Sequence, residues 1–251
     1  MISLRGKRAL VTGGSRGIGA ETAMMLAECG ADVGIGFRSR EADAADVAKR
    51  IAARGVRSFA HSSDLTMPGG AEALFERAVR EFGGLDVVVG NAGTWPSDEA
   101  GIDQMPDARW RATLMHNLDA VFHTARAAAR VLGQGGRLVL VSSTAGQRGE
   151  AFHADYAAAK GATISLVKSL AIELAPRGIT VNSVAPGWVD TEMIADVVTA
   201  GGRERIAAGI PVGRIASARD IAGPIVFLCS DEARHITGEI LNVNGGSVLC
   251  G

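Results

Sequence analysis

The sequence predicts an α/β fold, a single doubly wound domain with a seven-stranded parallel sheet and helices on both faces, on three observations. Short runs rich in Val, Ile and Leu alternate with longer segments of helical period, the pattern of strands buried on both sides. The first such run feeds a glycine-rich turn that opens directly into an amphipathic helix. With 251 residues, 47% hydrophobic and 21% charged, the chain has enough apolar side chains for one sizeable core, and 1–251 reads as one domain.

In chain order, apolar runs place strands at Arg8–Thr12, Asp32–Phe37, Val56–Ala60, Leu85–Val89, Arg137–Val141, Thr180–Val184 and Ile240–Val243. Helices fill the gaps at Gly17–Cys29, Glu41–Arg54, Gly69–Phe82, Asp107–Leu132, Ala154–Ala175, Thr191–Ala208 and Ala218–Cys229. In the fourth of these, Trp110, Leu114, Leu118, Val121 and Ala125 trace a core stripe, which makes Asn117 out of place unless something specific satisfies it. Right-handed crossovers then wind the sheet both ways. The stretch 190–211 reads as an insertion able to cover one edge.

Lys plus Arg total 26 against 27 for Asp plus Glu, and no basic block accumulates, so nucleic acid and anionic membranes are not expected partners. The start lacks an apolar signal core and no apolar run is long enough to span a bilayer, so a cytoplasmic protein is expected. Cys29, Cys229 and Cys250 form no C-x-x-C pair, which argues against a disulfide framework or zinc site, and no other metal ligand spacing occurs.

Ligands of doubly wound sheets sit beyond the carboxyl ends of the strands. Gly13–Gly19, Asp64, Asn91-Ala92-Gly93, Ser142-Ser143 and Pro186-Gly187 all fall there. In the first turn, Gly13, Gly17 and Gly19 allow close backbone approach, and the helix N-terminus offers unpaired N–H groups to a pyrophosphate. The same segment, Gly13-Gly14-Ser15-Arg16-Gly17, also matches a G-x-S-x-G nucleophile elbow, with His153 or His235 as nominal partners of Ser15. That hydrolase reading leaves no strand before the elbow and explains none of the other motifs.

The only tyrosine, Tyr156, stands four positions before Lys160, one of four lysines. On a helix this spacing puts phenol and ammonium on one face, where the cation is expected to favour phenolate and bring proton transfer closer to working pH.

Taken together, the T-G-x-x-x-G-x-G loop, Asn91-Ala92-Gly93, Asn117, Ser143 thirteen residues before Tyr156, and Pro186-Gly187 with Val189 and Thr191 resemble the short-chain dehydrogenase/reductase family. The overall pattern is most similar to its 3-oxoacyl-carrier-protein reductase branch. The resemblance covers nearly the whole chain and implies a Rossmann-type fold and hydride transfer between NADP and a ketone or secondary alcohol. It implies Ser143, Tyr156, Lys160 and Asn117 as the catalytic group, with Asn117 anchoring a proton-relay water. Cofactor contacts are expected from Gly13, Ser15, Arg16, Gly17, Ile18, Gly19, Asp64, Leu65, Asn91, Ala92 and Gly93. Tyr156, Lys160, Pro186, Gly187, Val189 and Thr191 complete that set. Gly90 replaces the first Asn of the family's N-N-A-G, a departure expected to loosen the turn, and Asn244 replaces a usual aspartate.

NAD-preferring members carry an acid at the end of the second strand to bind the ribose 2′-OH. Phe37 stands here instead, followed by Arg38, and Arg16 lies in the glycine loop, so NADPH is expected to be preferred over NADH. Trp95, Gln147, His153, Trp188 and Met193 are candidate substrate contacts, and the substrate is expected to be a small-molecule or acyl-carrier-linked carbonyl compound. Sugar, polyol or steroid dehydrogenases of the same family, and a dinucleotide sensor without catalysis, are the alternatives. Small-residue faces on two long helices lead us to expect a homotetramer.

Overall fold

The computed structural model describes residues 2–197 and 202–250. Seven parallel strands form the main sheet: β1 (Arg8–Thr12), β2 (Asp32–Phe37), β3 (Ser58–Ser62), β4 (Leu85–Gly90), β5 (Leu132–Val141), β6 (Thr180–Pro186) and, after two short strands described below, β9 (Ile240–Val243). Their order is β3-β2-β1-β4-β5-β6-β9, so the direction of winding reverses between β1 and β4. That reversal opens the crevice in which such sheets bind ligands.

Helices α1 (Gly17–Glu28), α2 (Glu41–Ala52) and α9 (Ala218–Leu228) cover one face. There Val11, Ile35, Val89 and Val141 pack with Leu26, Ile51 and Ile225. On the other face lie α3 (Gly70–Phe82), α4 (Asp107–Leu114), α5 (Ala120–Val131) and α7 (Ala154–Leu174), where Leu10, Val88, Leu138 and Leu140 meet Phe75, Val121 and Val167. Neighbouring residues of one strand thus feed opposite cores, which is why the strands read as unbroken apolar runs.

Four expectations need adjustment. β3 lies two residues later than the apolar run suggests, because its pairing with β2 carries Ser62 to Phe37. β5 begins at Leu132, which pairs with Leu85 before a register shift; its glycines 133, 135 and 136 hide this from the pattern. The span 107–132 is not one helix, for a π-helical turn, Met115–Asp119, separates α4 from α5, and Trp110 is 36% exposed rather than core. A short helix α6 (Thr144–Arg148) follows β5.

The helix expected over 191–208 is also broken, and 198–201 lie outside the described residues. Strand β7 (Val189–Asp190) pairs in parallel with β8 (Ala216–Ser217), a 3₁₀ turn follows at Glu192–Ile194, and α8 spans Gly202–Ala208. Ile194, Ile210 and Ile215, with Trp188 and Ile206, form a small apolar cluster of their own. This segment therefore carries a separate satellite core. Asn244 is buried, donating from Nδ2 to Val248 O at 2.9 Å and accepting from Gly246 N at 2.9 Å, and an aspartate could not make the first bond. Among the described residues no helix is long and apolar enough to cross a membrane.

Candidate active site

Two adjoining cavities lie at the carboxyl edge, about 230 Å³ and 140 Å³, and share Ile18, Asn91, Gly93, Thr94, Thr191 and Met193. Gly13, Ser15, Arg16, Gly17, Arg38, Asp64, Leu65 and Ala92 line the larger one. Its floor is built by close backbone contact. A Cβ on Gly13 would come 2.9 Å from Ala92 Cα, and one on Gly19 would fall onto Gly13 O. Helix α1 has no side-chain cap and no acid in its first turn, so its orphan N–H groups stay free for an anion.

The turn after β4 is tied down despite Gly90. Thr12 Oγ1 accepts from Asn91 N and Ala92 N, both at 3.1 Å, while Asn91 Nδ2 donates to Thr12 O and Gly13 O. Asn91 is thus a brace between two strand ends. Leu140 leans into the space beside Gly90, which a side chain there would need. Asp64 accepts from Thr66 Oγ1 at 2.7 Å and from Thr66 N at 3.0 Å through the same oxygen. The Thr66 hydroxyl, more than its backbone, holds this carboxyl below the usual range.

The smaller cavity brings together Ser143, Tyr156, Lys160 and Asn117 with Pro186, Gly187, Trp188, Val189 and Trp95. Asn117 is fully buried in the π-helical turn; Nδ2 donates to Thr113 O at 3.0 Å and Oδ1 accepts from Thr94 N at 3.1 Å. The polar residue that interrupts the apolar stripe is therefore satisfied on both sides and locks the turn after β4 to α4. Ser143 caps α6, its Oγ accepting from Ala145 N at 3.2 Å, and shares the cavity with Tyr156.

Lys160 Nζ donates to Val141 O at 2.9 Å and lies 5.7 Å from the Tyr156 ring centroid. Burial pushes this ammonium down to about 8. Burial also pushes the Tyr156 phenol up to about 12, against the pull of the Ser143 hydroxyl, and the charge of Glu150 adds to the rise. The expectation that Lys160 brings the phenol closer to working pH is corrected here: desolvation of the phenolate outweighs an ammonium that is itself poorly solvated.

Three candidates sit differently from expectation. Gln147 Nε2 donates to Asn242 Oδ1 at 2.5 Å and does not line the cavity. His153 is buried behind the cavity wall, stacked on Trp95 at 4.8 Å, while Trp95 meets Trp188 edge-on at 6.0 Å. Arg16 NH1 pairs with Glu192 Oε2 at 2.8 Å. Sequence reasoning missed Arg40 and Glu192 on the rim of the larger cavity, and Arg148, Glu150 and Ile194 in the smaller one. Only Arg40 carries a signal in the sequence, as a second arginine just past the second strand.

An uncapped helix N-terminus over a glycine floor, beside a hydroxyl, a phenol and a buried ammonium, defines a dinucleotide-linked oxidoreductase. The comparisons agree. A family model described as enoyl-(acyl carrier protein) reductase matches residues 13–247. The 3-oxoacyl-[acyl-carrier-protein] reductase FabG of Escherichia coli is 40% identical over 253 residues, covering 99% of this chain and 100% of that one. FabG of Staphylococcus aureus is 39% identical over 245 residues, 97% of this chain and 98% of that one. A short-chain dehydrogenase from Burkholderia cenocepacia, solved in complex with NADP, superposes with a TM-score of 0.91 at 40% identity, covering 97% and 98% of the two chains. The chain belongs to the short-chain dehydrogenase/reductase family and is an oxidoreductase most similar to its 3-oxoacyl reductase branch.

Proposed function

We propose that this enzyme uses NADPH to reduce the ketone of 3-oxoacyl thioesters and related apolar carbonyl compounds. The observation that carries the reading is the enclosed Ser143, Tyr156 and Lys160 group, set beside a glycine loop and an arginine rim.

The residues suit the cofactor. The uncapped end of α1 and the side-chain-free floor at Gly13 and Gly19 fit a pyrophosphate, and Arg38 on the rim fits a 2′-phosphate. Asp64 keeps its second carboxylate oxygen available for the adenine amine. Bound NADPH supplies the hydride. As charge develops on the carbonyl oxygen, Ser143 donates a hydrogen bond and Tyr156 delivers its proton. A phenol that burial keeps protonated at neutral pH holds the proton that reduction requires. Lys160 would hold the ribose hydroxyls, and Asn117 fixes the turn at Thr94, which lines both cavities.

Trp95, Trp188, Met193 and Ile194 give the substrate cavity an apolar wall, which favours acyl chains over polyols. Exposed apolar side chains on α5 and α7, Phe122 (46%) and Ile172 (80%), support a homotetramer. Turnover of a panel of β-ketoacyl thioesters, steroids, small ketones and sugars, followed by NADPH consumption, tests the substrate class. Thioesters or apolar ketones should lead; polyols or sugars leading would refute it.

A further inference from the structure

We propose that Glu192 is a cofactor-specificity residue whose carboxylate holds the rim arginines Arg16 and Arg40 until a 2′-phosphate takes them over. This rests on the NADPH reading above. Arg16 immediately precedes α1, Arg40 immediately precedes α2, and Glu192 opens the 3₁₀ turn of the covering segment. These three sites, distant in the chain, converge on one atom. Glu192 Oε2 lies 2.8 Å from Arg16 NH1 and 2.9 Å from Arg40 NH2. All three side chains line the larger cavity together with Arg38.

The chemistry of this rim is that of an exchange. A guanidinium can donate two parallel hydrogen bonds to a carboxylate or to a phosphate, and a phosphate carries more charge and more acceptor oxygens. The ion pairs are about half exposed, with Arg16 at 43%, Arg40 at 45% and Glu192 at 56%, so they exchange easily. Arg40 keeps a second carboxylate, Asp43 at 3.2 Å, so the rim never becomes wholly uncompensated. NADH presents only a neutral 2′-hydroxyl and has nothing to exchange for Glu192. NADPH must break both pairs before it gains the arginines, so Glu192 opposes NADPH and leaves NADH alone. Met193 and Ile194, next on the same turn, line the substrate cavity, so release of Glu192 reaches the substrate side.

The test is direct binding by calorimetry, with no turnover, to Glu192→Gln and the wild type. The ligands are NADPH, NADH, and the fragments adenosine 2′,5′-bisphosphate and AMP, which lack the nicotinamide. An exposed ion pair is worth up to about fivefold in an equilibrium, so Glu192→Gln should bind NADPH and the bisphosphate about three- to tenfold tighter. NADH and AMP should stay within about twofold, and Arg40→Ala should shrink the gain. Because Glu192 is exposed, Glu192→Ala serves as a second variant with the same expected direction. Unchanged or weaker bisphosphate binding in both variants, with the wild type still preferring NADPH, overturns the role of Glu192 alone. Equal tightening of all four ligands overturns it too, as a general charge effect. A wild type that binds NADH as tightly as NADPH overturns the arginine reading beneath it.

Discussion

The two cavities of this enzyme solve opposite problems. The larger one, proposed above to take NADPH, is rimmed by exposed arginines whose ion pairs lie in water. The smaller one encloses a phenol and an ammonium, whose proton affinities are moved by burial rather than by each other. Charge placed in solvent selects a ligand at modest energetic cost, whereas charge placed in the interior sets reactivity and depends on the scaffold that keeps water out. Substitutions on the two sides should therefore differ in kind.

The largest effect should come from the enclosed side. Tyr156→Phe removes the transferable proton and is expected to lower kcat by about 10²–10⁴-fold while leaving the Kd for NADPH nearly unchanged. Retention of more than about a tenth of wild-type kcat would falsify the assignment. The scaffold below it is next. Asp155, fully buried beside Tyr156, accepts from Arg109 Nε at 3.1 Å and Thr113 Oγ1 at 2.8 Å, joining α7 to α4. Burial pushes this carboxyl up, but the Arg109 and Thr113 hydrogen bonds outweigh it and hold it below the usual range. Its stabilisation is then complete above the ordinary carboxylate pKa and is lost as pH falls through the lower folded value. Asp155→Ala should lower unfolding free energy by about 3 kcal/mol, read from denaturant titration at neutral pH. A change under about 1 kcal/mol would show that the pair contributes little.

On the exposed side, Arg38→Ala should lower kcat/KM for NADPH about ten- to a hundredfold and leave NADH almost untouched, the range expected for one charged hydrogen bond. A matching loss with NADH would mean that Arg38 shapes the pocket rather than reading the phosphate. The smallest effect is a pH dependence. Lys160 is charged below about 8 and neutral above it, because burial lowers its pKa from the ordinary 10.5. The affinity for NADPH should therefore weaken as pH rises through about 8, and Lys160→Ala should abolish that limb. A binding curve flat to pH 10 in the wild type would remove the charge of Lys160 from the account.

The same contrast explains what the sequence made legible. Strands buried on both faces announce themselves as apolar runs, and the glycine loop, Asn117, Ser143, Tyr156 and Lys160 stand at spacings that a resemblance can read. Their gathering along one edge of the sheet, around two adjoining cavities, follows from strand order. Less legible were features set by contacts distant in the chain. Nothing near Glu192 foretells that it meets Arg16 and Arg40, and nothing near Gln147 foretells that Asn242 takes its amide. The π-helical turn at Asn117 shifts the buried stripe, leaving Trp110 exposed before it while Val121 and Ala125 pack in the core after it, a break that an unbroken run of apolar spacings does not reveal. Spacing reports proximity and not solvation, so it does not reveal the direction of the Tyr156 shift, which burial sets.

The central claim is that the enclosed group performs carbonyl reduction while the arginine rim selects NADPH. It is tested most directly by kcat/KM of the wild type for acetoacetyl thioester reduction, measured with NADPH and with NADH in the same buffer. The account predicts measurable reduction and an NADPH preference of at least about tenfold, the worth of one charged hydrogen bond. Equal efficiency with the two cofactors, or a preference for NADH, would contradict it.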